Sequence, residues 1–120
     1  MKRIPLMIGA IIAVLLAFVS IPVFGQTTTI RGIIIDNACA GGHKADLANF
    51  IKTHTKECLL MPSCEASGYN IFSEGKLYKL DKDSNAKIAA FLKQNSSTPN
   101  VVVKGKISKD MLKVVSVENQ

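Results

Sequence analysis

The residues best suited to chemistry cluster in one short part of the chain. All three cysteines and both histidines of the 120 residues fall between Asp36 and Cys64. They are Cys39, His43, His54, Cys58 and Cys64. Thiolates and imidazoles bind zinc and copper, and thiols also form disulfides or act as nucleophiles. The cluster therefore allows three interpretations: a metal site, a disulfide staple or a reactive thiol.

A metal site follows from helical spacing. In a helix, His54 and Cys58 lie at positions i and i+4 on one face, and Met61 follows one turn later. We expect Cys39 to join them from a loop after the first strand, and Cys64 from beyond a proline. Three thiolates with one imidazole form a closed zinc set, whereas thiolate, thioether and imidazole suit Cu(I). The predicted ligands of zinc or copper are thus Cys39, His54, Cys58 and Cys64, although neither C-x-x-C nor H-x-x-x-H occurs.

A disulfide staple is the first alternative. Two of the three cysteines would pair outside the cytoplasm and one would remain free. A bridge from Cys39 to Cys58 or Cys64 would tie the first strand to the helical segment and stabilise the fold by about 3 kcal/mol. The protein would then be an interaction domain without a metal. Its partner would be another envelope protein or a glycan.

A thiol enzyme with His54 as the base is the second alternative. Cys58 comes late in its predicted helix, where the helix dipole disfavours a thiolate. The chain also has no C-x-x-C pair and no glycine-rich phosphate loop. We therefore predict a binding protein and no enzymatic activity.

The first 25 residues have the layout of a secretory signal peptide. Lys2 and Arg3 precede an uncharged stretch, residues 4–24, and Pro22 lies shortly before a cleavage point at Gln26. The apolar stretch is close to the roughly 20 residues that span a bilayer, so an uncleaved anchor is the alternative. In both cases the domain is exported, to the periplasm or the medium. Membrane contact is predicted only through this segment, if it is uncleaved.

The charge of the remaining chain gives no sign of a nucleic-acid partner. The formal net charge of the whole chain is +6. Without residues 1–25 there remain 13 Lys and Arg against 9 Asp and Glu. The lysines are scattered singly, and arginine is not interleaved with aromatic residues as in nucleic-acid grooves. We therefore predict no nucleic-acid binding.

Hydrophobic patterns predict five strands and two helical regions in a single domain, residues 26–120. The strands are predicted over 27–35, 69–73, 76–81, from 101 onward and over 112–117, with helices from 44 to 61 and from a cap at Asp83 or Ser84. This order predicts a mainly β (α+β) fold: a small OB-like five-stranded barrel or sheet. It carries a helical insertion, residues 37–68, after strand 1 and one helix between strands 3 and 4.

Several short motifs resemble those of a group of small exported bacterial proteins. They are Asp36-Asn37-Ala38-Cys39, His54-Thr55-Lys56-Glu57-Cys58, Met61-Pro62-Ser63-Cys64, Gly68-Tyr69 and Gly75-Lys76-Leu77-Tyr78. The resemblance extends to the valine-rich strands at Val101–Gly105 and Leu112–Val117. It implies export, a Cys/His segment in front of an OB-like β tail, and three cysteines with one histidine as a recurring set. It implies no substrate.

Overall fold

Five strands form a closed barrel in the computed structural model, which describes residues 26–120. The strands are β1 (Thr28–Asp36), β2 (Tyr69–Ser73), β3 (Lys76–Leu80), β4 (Asn100–Ser108) and β5 (Met111–Asn119). Around the barrel the order is β1-β2-β3-β5-β4, and β3 and β5 are the parallel pair. The predicted mainly β, OB-like fold is therefore confirmed. The predicted signal peptide or anchor, residues 1–25, lies outside the described residues.

Four short helices occupy the predicted insertion, and a fifth separates β3 from β4. They are α1 (Asn37–Gly42), α2 (Leu47–Phe50), α3 (Lys56–Leu59), α4 (Pro62–Ser67) and α5 (Lys82–Leu92). The predicted continuous helix from 44 to 61 is wrong, and the predicted loop around Cys39 is helix α1. The cap of α5 is Asp81, not Asp83 or Ser84. Within residues 26–120, no helix is long and apolar enough to cross a membrane.

The barrel interior is filled by aliphatic side chains from all five strands and from α5. Ile34, Ile71 and Val103 are completely or almost completely buried there, and Ile88 covers them from α5. Leu59 of α3 belongs to the same core. The insertion is therefore packed against the barrel through a core residue of its own.

A second apolar cluster attaches the insertion to the outside of the barrel. Ile35 of β1, Ala40 of α1 and Ile51 are buried together, with Phe50 and Phe72 packed against them. Because Ile34 faces the interior while Ile35 faces this cluster, the end of β1 is covered on both sides. That explains an unbroken run of isoleucines where a half-exposed strand would alternate with polar residues.

Candidate metal centre

Asp36 stands where β1 ends and α1 begins. Its extended backbone makes it the N-cap of α1, and its Oδ2 accepts a hydrogen bond of 2.9 Å from the backbone N–H of Cys39. The side chain is completely buried. The cap therefore fixes both the carboxylate and the start of the helix turn that carries Cys39.

Hydrogen bonds between α1 and the end of α4 bring half-buried Cys39 and buried Cys64 together. The Asn37 side chain donates to the Ser67 carbonyl at 2.7 Å, and the Asn37 backbone N–H donates to the Gly68 carbonyl at 2.9 Å. The Ser67 hydroxyl donates in turn to the Cys64 carbonyl at 2.7 Å. Gly68 ends α4 with a φ of 85°, a conformation that glycine adopts without strain. These contacts hold Cys39 opposite Cys64.

The result is a compact group of potential metal ligands. One carboxylate oxygen of Asp36 and the Sγ atoms of Cys39 and Cys64 all lie within 4.8 Å of one another. The two sulfur atoms are 4.4 Å apart. Two sulfurs at 2.3 Å from a tetrahedral zinc ion would be separated by about 3.8 Å, whereas a disulfide bond is about 2.05 Å long. At 4.4 Å the two sulfurs are not bonded, and both a shared zinc ion and a disulfide would require them to move closer together.

His54 contacts the same carboxylate from the other side. Its Nε2 is 3.1 Å from Asp36 Oδ1, and its side chain is 3% exposed. The two atoms are not aligned for a hydrogen bond, however. Asp36 Oδ1 and both ring nitrogens of His54 have no hydrogen-bond partner among the described residues. Nε2 and Oδ1 nevertheless lie at ion-pair distance from each other, whereas Nδ1 has no such contact, and a buried polar atom without a partner costs about 1–3 kcal/mol.

Cys58 and His43 lie apart from this group. The Sγ of Cys58 accepts a hydrogen bond of 3.3 Å from the Thr55 hydroxyl, and Cys58 is not among the clustered ligands. His43 is 40% exposed and stacks on Phe50 with ring centroids 3.7 Å apart. Of the four predicted ligands, the structure thus brings Cys39 and Cys64 together, places His54 against Asp36, and leaves Cys58 outside.

The predicted i,i+4 pairing of His54 with Cys58 fails for a local reason. Helix α3 begins only after Thr55, whose side chain caps it by accepting from the Cys58 N–H. His54 therefore precedes the helix and does not share its face with Cys58. Conversely, Asp36 was not predicted as a ligand. Its position three residues before Cys39, at the end of a strand, is the sequence signal that could have identified it.

The surroundings of Cys39 hold its thiol in the protonated form. Burial is the main cause that raises its pKa to about 11, followed by the negative charge of Asp36, a hydrogen bond with that carboxylate, and Cys64. Because the thiolate is the nucleophile, a thiol with this pKa is poorly suited to covalent catalysis at neutral pH.

A cavity of about 370 Å³ opens beside His54, lined also by Lys52, Thr55 and Pro99. Lys56 lines it as well, but its ammonium group donates to the carbonyls of Gln94 and Ser97 at 2.6 and 3.1 Å. This lysine therefore ties α3 to the segment that follows α5.

Comparisons with protein-family models, curated proteins and solved structures found no match for this chain. The chemistry of the site is therefore the basis for inferring function.

Proposed function

We propose that the protein is an exported metal-binding module of the bacterial envelope that holds one zinc ion through Asp36, Cys39, His54 and Cys64. The observation that carries the proposal is a set of two thiols and a carboxylate within 4.8 Å, in which Asp36 and Cys64 are buried and Cys39 is half-buried, with the buried imidazole of His54 against Asp36. The contact of Asp36 Oδ1 with His54 Nε2 supports it, since these two atoms could bind one cation together. This set replaces Cys58 of the sequence-based set by Asp36.

The donor atoms favour zinc over copper. Zn²⁺ accepts sulfur, nitrogen and carboxylate oxygen in a tetrahedral site, whereas Cu(I) selects thiolates and thioethers. The nearest methionine to the cysteines in sequence, Met61, is 52% exposed and offers no buried thioether. With four protein ligands the site would be closed. A closed site is typical of a structural or storage role and leaves no open position for catalysis.

The alternative function is a disulfide-stapled interaction domain that binds a protein or glycan and holds no metal. The proximity of Cys39 and Cys64 is the observation that favours it, because oxidation outside the cytoplasm needs only a modest movement of two neighbouring sulfurs. Such a bridge closes a loop that the chain-entropy model values at about 3–4 kcal/mol. Cys58 would then be the free thiol.

Metal content and thiol count separate the two functions. The protein should be purified without chelators from the envelope of the cells that produce it. For the zinc module, elemental analysis should find one zinc per chain, and titration of the unfolded protein with a chelator should find three free thiols. For the stapled domain, elemental analysis should find no metal, and thiol titration should find one free thiol. Peptide mapping should then find a Cys39–Cys64 cross-link. That second result would overturn the zinc proposal.

Serine variants test which cysteines bind. Cys39→Ser and Cys64→Ser should each lose the stoichiometric zinc, because each removes one of four ligands from a closed site. Cys58→Ser is the matched control and should retain it, since Cys58 contacts Thr55 instead. Loss of zinc in Cys58→Ser, with the fold intact by circular dichroism, would instead restore the sequence-based ligand set.

A further inference from the structure

The two cysteines of the proposed zinc site differ in their access to solvent. Cys39 of α1 is half-buried, whereas Cys64 of α4 is 8% exposed. Their sulfur atoms are 4.4 Å apart. An accessible thiolate with a second cysteine beside it is the usual arrangement of a redox-sensitive pair, because the second sulfur converts the oxidised first one into a disulfide. A small oxidant from solvent should therefore react at Cys39 first.

The surrounding contacts allow these two sulfurs to bond without rearranging the insertion. Hydrogen bonds of Asn37, Ser67 and Gly68 join α1 to α4, and none of them uses a cysteine sulfur. The sulfurs must approach by about 2.4 Å to reach the length of a disulfide bond. We expect rotation of the two side chains about their Cα–Cβ bonds to supply this movement, with the barrel unchanged.

A disulfide and a zinc ion exclude each other at this site. A thiol that coordinates zinc is deprotonated, so binding holds Cys39 and Cys64 as thiolates, which is the nucleophilic form. Oxidation to a disulfide consumes both thiolates at once. Only Asp36 and His54 would then remain of the four proposed ligands, and a closed zinc site needs four. Oxidation of the pair should therefore release the ion.

We propose that Cys39 is an oxidation site for hydroperoxides, and that its conversion to a Cys39–Cys64 disulfide releases the bound zinc. The inference rests on the proposed zinc function and adds a regulation of the same site. The zinc-loaded chain is the resting state and peroxide is the trigger. The disulfide and the metal site are then two states of one set of residues.

The reaction balances with hydrogen peroxide as the oxidant. The Cys39 thiolate attacks one peroxide oxygen, the O–O bond breaks, and a sulfenic acid forms while the leaving hydroxide takes a proton from solvent. The Cys64 thiolate then attacks the sulfur of this sulfenic acid. The S–O bond breaks, and a second hydroxide leaves and is protonated. Two thiolates thus lose two electrons, and one peroxide with two protons becomes two water molecules.

Zinc release and disulfide formation can be followed together. The unsubstituted chain and Cys58→Ser are each reduced, loaded with one equivalent of zinc, freed of reductant and treated with hydrogen peroxide. Catalase then removes the peroxide, a chromophoric indicator measures released zinc, and peptide mapping locates the modified residues. Cys58→Ser is the matched control, because it removes the third thiol and keeps the proposed ligands. Circular dichroism checks the fold.

Both proteins should release one zinc ion per chain and lose two free thiols, and mapping should find a Cys39–Cys64 disulfide. Dimedone, which traps sulfenic acids, should label Cys39 and not Cys64 when it is added with the peroxide. Reduction with a phosphine should restore zinc binding. Met61, which is 52% exposed, gauges the peroxide dose, because methionine is itself oxidised to the sulfoxide.

Failure of the zinc function and failure of the oxidation site give different results. A reduced chain that takes up no zinc contradicts the proposed function and this inference with it. If zinc is taken up but stays bound while Met61 is oxidised, the zinc function stands and the oxidation site is overturned. Release of zinc with a disulfide to Cys58, release with no disulfide, or dimedone on Cys64 alone would also overturn it.

Discussion

Asp36 combines two tasks that a single substitution can separate. One oxygen caps α1 at Cys39, and the other faces His54. Asn retains an acceptor for the cap, since Asn and Asp are equally good N-cap residues, but it removes the charge that a cation requires. Asp36→Asn should therefore stay folded and bind zinc at least about tenfold more weakly, as expected when a ligand or its close support is lost.

Competition with a chromophoric chelator measures this loss of affinity. Asp46→Asn is the matched control, because Asp46 is an exposed aspartate of the same insertion that contacts His43 instead. Its zinc affinity should equal that of the unsubstituted chain. If Asp36→Asn also binds zinc with unchanged affinity, Asp36 is a capping residue and not a ligand.

At the level of single residues, the sequence identified part of the site. Cys39, His54 and Cys64 are conspicuous by type alone, because thiols and imidazoles are few in this chain. Asp36 is one of nine acidic residues, and its burial depends on the insertion folding back over the end of β1. The spacing of Asp36 and Cys39 marks a helix cap, but the long-range contact that buries the carboxylate has no local pattern. Cys58 had the right type, but its own helix directs it to Thr55.

Among the secondary structure elements, strands were predicted more reliably than the helices of the insertion. Residues 69–73 form a strand with the predicted limits, because β-branched and aromatic residues there end at a Glu74-Gly75 turn. In the insertion, apolar residues recur at helical spacing over residues 44–61, yet Thr55 caps a new helix and Pro62 begins another. Proline suits the first turn of a helix as well as its end, so it can mark either boundary.

Helix α5 offers a test of capping and of pH dependence. Asp81 accepts a hydrogen bond of 2.8 Å from the Ser84 N–H, and Asp81→Ala should reduce the free energy of unfolding by about 1 kcal/mol near pH 7. Hydrogen bonds from Ser84 are the main cause that lowers the pKa of Asp81, and Lys113 and Lys87 add to it. A lowered carboxyl pKa stabilises the fold above the pKa of the unfolded chain.

The stabilisation that ionised Asp81 provides should disappear as the pH falls through the folded-state pKa of Asp81. Urea unfolding of the unsubstituted chain and of Asp81→Ala should therefore show a difference in the free energy of unfolding that is constant above about pH 5 and shrinks towards pH 3. Asp83→Ala is the control, since Asp83 lies in the first turn but does not cap the helix. A difference between the unsubstituted chain and Asp81→Ala that grows on acidification would contradict this account.

At the scale of the whole molecule, closing a barrel from short strands requires places where backbones approach closely. Gly32 of β1 and Gly105 of β4 are two such places. A Cβ atom on Gly32 would lie 2.5 Å from the carbonyl oxygen of Phe72, and one on Gly105 would overlap the carbonyl oxygen of Lys113. The ladder between β4 and β5 also shifts register at Gly105. The order of elements in the sequence predicted a five-stranded barrel or sheet, but only the closed structure explains these glycines.

Gly32→Ala and Gly105→Ala should therefore each destabilise the barrel by about 1–3 kcal/mol, because backbone atoms must move to admit one methyl group. Gly41→Ala is the matched control: a Cβ there meets no atom within 4 Å, and in a helix alanine is favoured over glycine by up to about 1 kcal/mol. Urea unfolding in reducing buffer with a chelator excludes both zinc and disulfide from the comparison. If Gly105→Ala were as stable as Gly41→Ala, β4 and β5 would have to be farther apart than this barrel allows.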